Sequence, residues 1–149
     1  MAATSKRYEV NSDAPVSSSN CVGLGGVMRD MEGDVVVSTC LRLSGKFEAD
    51  VAEALAMRHA LAITLDSGFS RVCLDCLKLH NHLLKGKAPP TAFGLVNDIL
   101  QLALRCQACS FSFVKRNGNR IAHEQAKLSL SFDGLRVWME EVPLGISNM

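Results

Sequence analysis

The order of patterned segments in this chain predicts an α/β fold: a mixed five-stranded sheet, an antiparallel meander plus parallel strands, with helices on both faces. Three observations carry that reading. Two strand-like runs, 21–29 and 34–43, flank a turn-forming Asp30-Met31-Glu32-Gly33. A long apolar helical segment follows over about 49–67. After it, short strand-like runs alternate with helical ones, the pattern of parallel crossovers.

The elements follow in order. Residues 1–6 read as a flexible lead. A first strand is expected near 7–13. Pro15 and Ser17-Ser18-Ser19-Asn20 read as a turn or loop. The third strand, 34–43, is rich in Val, which suits a pleated, half-buried surface. Ser44-Gly45 breaks the pattern. The helix over 49–67 has Glu48 or Asp50 near its positive end. Its residues Val51, Ala52, Leu55, Ala56, Leu61, Ala62, Ile63 and Leu65 spread so widely that it must be largely buried against a sheet. Gly68 is a natural stop. Residues 71–75 form a short fourth strand and 77–85 a short helix closed by Gly86. Pro89-Pro90 cannot continue it. The next helix covers 91–105, with Phe93, Val96, Leu100 and Leu104 on one stripe. A fifth strand at 109–115, a turn at Asn117-Gly118 and a last helix over 119–131 complete one domain, 7–131. Residues 132–149 are left as a C-terminal tail.

Composition narrows the class. Hydrophobic residues make up 48% of the 149, enough for a real core. No apolar run is long enough to span a membrane, and the N-terminal residues lack the apolar core of a secretory signal. The expectation is a nuclear or cytoplasmic protein, not secreted, with no membrane partner, and a monomer. Net charge is +1, yet residues 1–70 carry six Lys/Arg against nine Asp/Glu, while 71–127 carry nine against three. An acidic half beside a basic half is consistent with nucleic-acid binding, and equally with chance clustering on a solvated surface.

Six cysteines include two C-x-x-C pairs, Cys73/Cys76 and Cys106/Cys109. The gap between the pairs is longer than in a compact zinc ribbon and holds a helix, so buried reduced thiols are expected instead. Gly23-Leu24-Gly25-Gly26 precedes strand residues, so it is not a dinucleotide loop. It is better read as a strand with small residues for close approach.

Three acids stand at chemically useful places. Asp13 ends the first strand, Glu53 lies in the first turns of the long helix, and Asp75 ends the fourth strand. Acids so placed can converge on hard cations, which prefer carboxylate oxygen. Two such ions roughly 3.5–4 Å apart can clamp a phosphodiester. The plainer readings are a turn acid for Asp13 and a helix-dipole acid for Glu53. A buried Glu53 would be costly without a partner. His59, His80 and His82 read as surface or amphipathic-helix residues.

Four segments carry a resemblance: Val10-Asn11-Ser12-Asp13-Ala14, Gly25 through Gly33, Ala52-Glu53-Ala54-Leu55-Ala56-Met57-Arg58, and Phe113 through His123. In their order and spacing over about 7–131 the chain resembles the ribonuclease H type 1 family, and within it the plant reverse-transcriptase-like domains related to retroelements. The resemblance implies an RNase H-like fold and cleavage of the RNA strand of an RNA–DNA hybrid by divalent-metal-assisted hydrolysis. It implies Mg²⁺ or Mn²⁺ as cofactor, with Asp13, Glu53 and Asp75 as ligands and His123 at the fourth place. Lys115, Arg116, Asn119 and Arg120 would hold the nucleic acid.

The chain departs from that pattern in several places. Ala14-Pro15 replaces the usual Gly-Ala. The fourth strand is about two residues short; without a gap, Leu77 takes the place of Asp75. His123 replaces an acid, and imidazole suits Mg²⁺ poorly. The 115–119 loop lacks a histidine, and Gln125 replaces an apolar core residue. These departures motivate an alternative: a catalytically weak or inactive RNase H-like module that binds nucleic acid or a protein.

Overall fold

Alternation along Tyr8–Asp13 makes it a strand, β1, with Asn11 and Asp13 on one face and Val10 and Ser12 on the other. A computed structural model describes residues 6–15, 20–84, 89–113, 119–131 and 134–140. β2 (Cys21–Asp30) and β3 (Val35–Ser44) form a hairpin. The Asp30 carboxylate ties its turn, accepting from the N–H groups of Glu32 at 3.0 Å and Asp34 at 2.9 Å. Then come α1 (Ala49–Asp66), β4 (Arg71–Asp75), α2 (Leu77–Leu84), α3 (Pro90–Leu104), β5 (Ala108–Ser112), α4 (Asn119–Leu128) and β6 (Leu135–Met139). Gly68, at φ +92°, supplies the left-handed residue just beyond the end of α1.

The sheet order is β5-β4-β1-β2-β3-β6. β1, β2, β3 and β6 pair antiparallel in that order, while β4 runs parallel to both β1 and β5. The expected mixed sheet is therefore present, with one strand more than the five read from the sequence. Residues 135–139, assigned to a tail, pair with β3 from Val37↔Met139 to Leu41↔Leu135. Leu135, Val137 and Met139 stay exposed, so β6 is held by its ladder more than by burial.

Helices cover both faces. α1 packs on β1, β2 and β3, and α3 packs on the back of α1. Caught between two layers, α1 buries every residue from Val51 to Met57, Glu53 included. Val10, Leu24, Met28, Val37, Leu55, Met57, Leu61 and Leu74 belong to the core on this side. Of the apolar stripe on α3, Val96 packs against the core while Phe93, Leu100 and Leu104 are exposed; Ala92, Leu95 and Ile99 are buried. α3 lies against α1 and also touches the edge strand β5.

α4 covers the opposite face with a small cluster, Val27, Val35, Ile121 and Ala122. It sits unusually close. A Cβ added to Gly25 would lie 2.0 Å from the Ala122 carbonyl oxygen, and one added to Gly23 would lie 2.1 Å from that of Ala126. The glycines of β2 are thus the seat for the α4 backbone. Among the described residues no helix is long and apolar enough to cross a membrane.

Candidate active site

Two buried carboxylates meet beyond the carboxyl end of β1. Asp13, at the end of that strand, is 1% exposed, and Glu53 is 5% exposed. The start of α1 reaches over β1, so the Ala14 N–H donates to the Glu53 carboxylate. Both acids also share a cation. Lys78, in the first turn of α2, places its Nζ against Asp13 Oδ1 and 2.9 Å from Glu53 Oε2. Asp13 and Glu53 therefore converge as their spacing in the chain leads one to expect. Lys78 was not legible as a partner. Its one signal is its place three residues after Asp75, at a helix start.

His123 completes this side. Its Nδ1 lies 2.6 Å from Asp13 Oδ2. A carboxylate can only accept, so Nδ1 carries the hydrogen and the ring is aimed by that bond. The close seat of α4 on β2 delivers it: Gly25 is the register partner of Asp13 and touches Ala122, the residue before His123. The imidazole is half-exposed.

Asp75 is not brought into the same group. Its Oδ2 accepts from Asn11 Nδ2 at 2.8 Å, and Oδ1 lies 3.4 Å from the Leu77 N–H at the start of α2. Parallel pairing of β1 with β4 sets Asn11 beside Asp75, and the buried amide takes up the carboxylate. Among the described residues the buried Asn11 Oδ1 has no hydrogen-bond partner. Among the described residues no three His, Cys, Asp or Glu side chains are grouped to hold a metal ion. Cys76 and Cys109 are thiols pushed up to about 12 by burial.

Of the residues expected to meet nucleic acid, Arg120 is exposed on α4, one turn before His123. Lys115 and Arg116 lie outside the described residues, as does the side chain of Asn119. His59 lies on α1 and is partly buried. Its Nε2 lies 3.0 Å from Thr39 Oγ1, whose one hydrogen goes to the Arg136 carbonyl. The ring must therefore donate. Burial lowers it to about 4. His80 is exposed, its ring 5.0 Å from that of Phe113. His82 lies outside the described side chains.

The electrostatics show a site short of positive charge. Burial pushes Glu53 up to about 7, and the Asp13 charge adds to the rise. Lys78 and the Ala14 N–H pull it back without offsetting the desolvation. For Lys78, burial alone would lower the ammonium. Its hydrogen bond to Asp13 and the charge of Glu53 outweigh that and hold it above the ordinary lysine range. Two carboxylates around one monovalent cation, all oxygen donors, fit one hard divalent ion between Asp13 and Glu53. The Lys78 ammonium marks the place where both carboxylates reach a common cation.

The fold is RNase H-like. Three solved structures share the fold. RNase H1 from the halophilic archaeon Halobacterium salinarum superposes with a TM-score of 0.70 at 20% identity, over 84% of this chain and 98% of that one. An N-terminal RNase H domain from Mycobacterium tuberculosis gives 0.68 at 17%, over 85% and 95%. LC11-RNase H1, in complex with an RNA/DNA hybrid, gives 0.68 at 19%, over 83% and 96%. The reverse transcriptase-like family matches residues 11–129, and the chain belongs to that family. No curated protein matches its sequence.

Proposed function

We propose that this protein is an RNase H-like endonuclease that cleaves the RNA strand of RNA–DNA hybrids with Mg²⁺ or Mn²⁺. The observation that carries this reading is the convergence of Asp13 and Glu53 on one cation position at the end of β1. Asp13 and Glu53 would hold the ion. Such an ion lowers the pKa of bound water and stabilises a leaving oxygen. Asp75 would join through a change in its bond to Asn11.

The remaining work falls to the chain. Burial of both acids keeps their oxygens fixed and concentrates negative charge where a cation is wanted. His123 holds Asp13 by its second oxygen, so the carboxylate cannot rotate freely. Arg120, with Lys115, Arg116 and Asn119, would position the phosphates at the start of α4, whose N-terminus also favours anions. The RNA strand would be distinguished through its 2′-hydroxyl. The complex of LC11-RNase H1 with an RNA/DNA hybrid supports the choice of substrate.

The decisive experiment is hybrid cleavage with Mg²⁺ and Mn²⁺ by the wild type and by Asp13→Asn. The expected result is cleavage lost by about 10²-fold or more in a variant that keeps its fold by circular dichroism. Equal rates would remove Asp13 from the chemistry. A second reading, a module that binds hybrids without cutting them, is favoured by the engagement of Asp75 with Asn11. Hybrid binding without cleavage by the wild type in either ion would establish it.

A further inference from the structure

The mechanism leaves Lys78 unused, yet it has the most specific contacts in the site. Its Nζ donates to two carboxylates that are almost wholly buried. The backbone beneath it is fixed. The Cys76 N–H donates to the Ser112 carbonyl at 2.8 Å, the His80 N–H donates to the Cys76 carbonyl at 2.8 Å, and Leu79 is in the core. The side chain is not fixed in the same way, being 43% exposed. An anchored Cα with a flexible, partly solvated stem is a cation that can enter or leave without moving the fold.

A divalent ion bonded to both Asp13 and Glu53 would occupy the same few ångströms as this ammonium. Two cations do not share that place, because their repulsion in a buried site is strong. The two states are alternatives. With Lys78 in, two buried carboxylates have a partner and the ion-free protein avoids an uncompensated pair. With Lys78 out, the ion takes both acids and the ammonium points to solvent at the rim.

We propose that Lys78 is a built-in occupant of the cation position between Asp13 and Glu53, which a divalent ion must displace, so that Lys78 sets the ion concentration at which the site loads. This inference rests on the ion-binding reading above and adds a residue that determines its threshold. If the lysine is out of the site a tenth of the time, apparent ion affinity is reduced about tenfold.

The test measures Mn²⁺ binding to the full chain by paramagnetic resonance of free Mn²⁺, for wild type, Lys78→Met and Lys78→Arg. Lys78→Met is expected to bind about tenfold tighter, and Lys78→Arg to stay near the wild type. The ion-free Lys78→Met protein is expected to melt below the wild type and to gain more from Mn²⁺. Should that variant fail to fold, the wild type alone decides. Labelling of Lys78 with an amine-reactive reagent, read by mass spectrometry, is expected to rise severalfold when Mn²⁺ is added.

Two outcomes overturn the inference, and they differ. Equal Mn²⁺ affinity in wild type and Lys78→Met, lost in Asp13→Asn, refutes the role of Lys78 and leaves the ion site standing. Absence of Mn²⁺ binding in all folded forms refutes the ion site and the inference with it. Lys78 labelling unchanged by saturating Mn²⁺ also refutes the displacement.

Discussion

On the α1 face of the sheet, large apolar side chains interlock: Leu24, Met28, Met57, Leu61 and Leu74 are each buried to within a few per cent. On the α4 face there is little to interlock. Contact is made by backbone lying on glycine, with four small or medium apolar residues beside it. The same face carries Asn11, Asp13 and Gln125, all essentially inaccessible. Among the described residues, Asn11 Oδ1 and both polar atoms of Gln125 have no hydrogen-bond partner. One face is therefore packed for stability. The other accepts orphaned polar groups and close backbone approach, and it supplies Asp13 and His123 to the site that Glu53 and Lys78 complete from α1 and α2. Departures from good packing gathered at a site are the expected signature of function.

The comparison can be broken by substitutions on each side. Leu61→Ala, on the stable face, should cost the most, about 2–5 kcal/mol by denaturant unfolding. Cleavage per folded molecule should survive it. A loss of activity as large as that of Asp13→Asn would show that the two faces are not separable.

Gly25→Val tests the close seat of α4. The added side chain meets the Ala122 carbonyl, and the cost should be about 2–3 kcal/mol. Its effect on cleavage should exceed its effect on stability, because Ala122 leads directly into His123. A variant with wild-type cleavage would mean that the His123 contact to Asp13 is dispensable.

His59 sharpens the contrast by way of pH. In the fold it is lowered to about 4, from an ordinary value of 6.5. Between these limits the unfolded chain binds more protons, so stability rises with pH across the window and falls as pH drops from about 6.5 toward 4. The loss should be on the order of 1–3 kcal/mol, measured as unfolding free energy at several pH values. His59→Gln should flatten that slope; an unchanged slope would assign the pH response to other groups.

Gln125→Leu should have the smallest effect and the opposite sign. Replacing an orphaned buried amide with an alkyl group of similar size should stabilise by about 1 kcal/mol. A destabilised variant would mean that the amide has a partner, such as a buried water, that geometry alone does not reveal.

Much of the fold was legible because its signals are local. The hairpin follows from Asp30 through Gly33, and α1 from an apolar segment closed by Gly68. Asp13 and Glu53 were legible for a different reason: an acid at a strand end and an acid at a helix start are marked by the elements that carry them. β6 was not legible. Its partners in β3 lie 94 to 102 positions away along the chain, from Leu41↔Leu135 to Val37↔Met139, and its apolar residues alternate without becoming buried. Periodicity placed Phe93, Val96, Leu100 and Leu104 of α3 on one stripe but could not show that only Val96 among them meets the core.

Local pattern in the amino-acid sequence determined the element order, the mixed sheet and two of the acids, since propensity and turn chemistry act over a few residues. Tertiary structure alone decided which charges meet. It set Lys78 between Asp13 and Glu53, gave Asp75 to Asn11, and turned His59 into the sheet, because such contacts depend on the register and tilt of elements far apart in the chain. Electrostatic partnership falls off over a few ångströms, and chain distance carries no information on that scale.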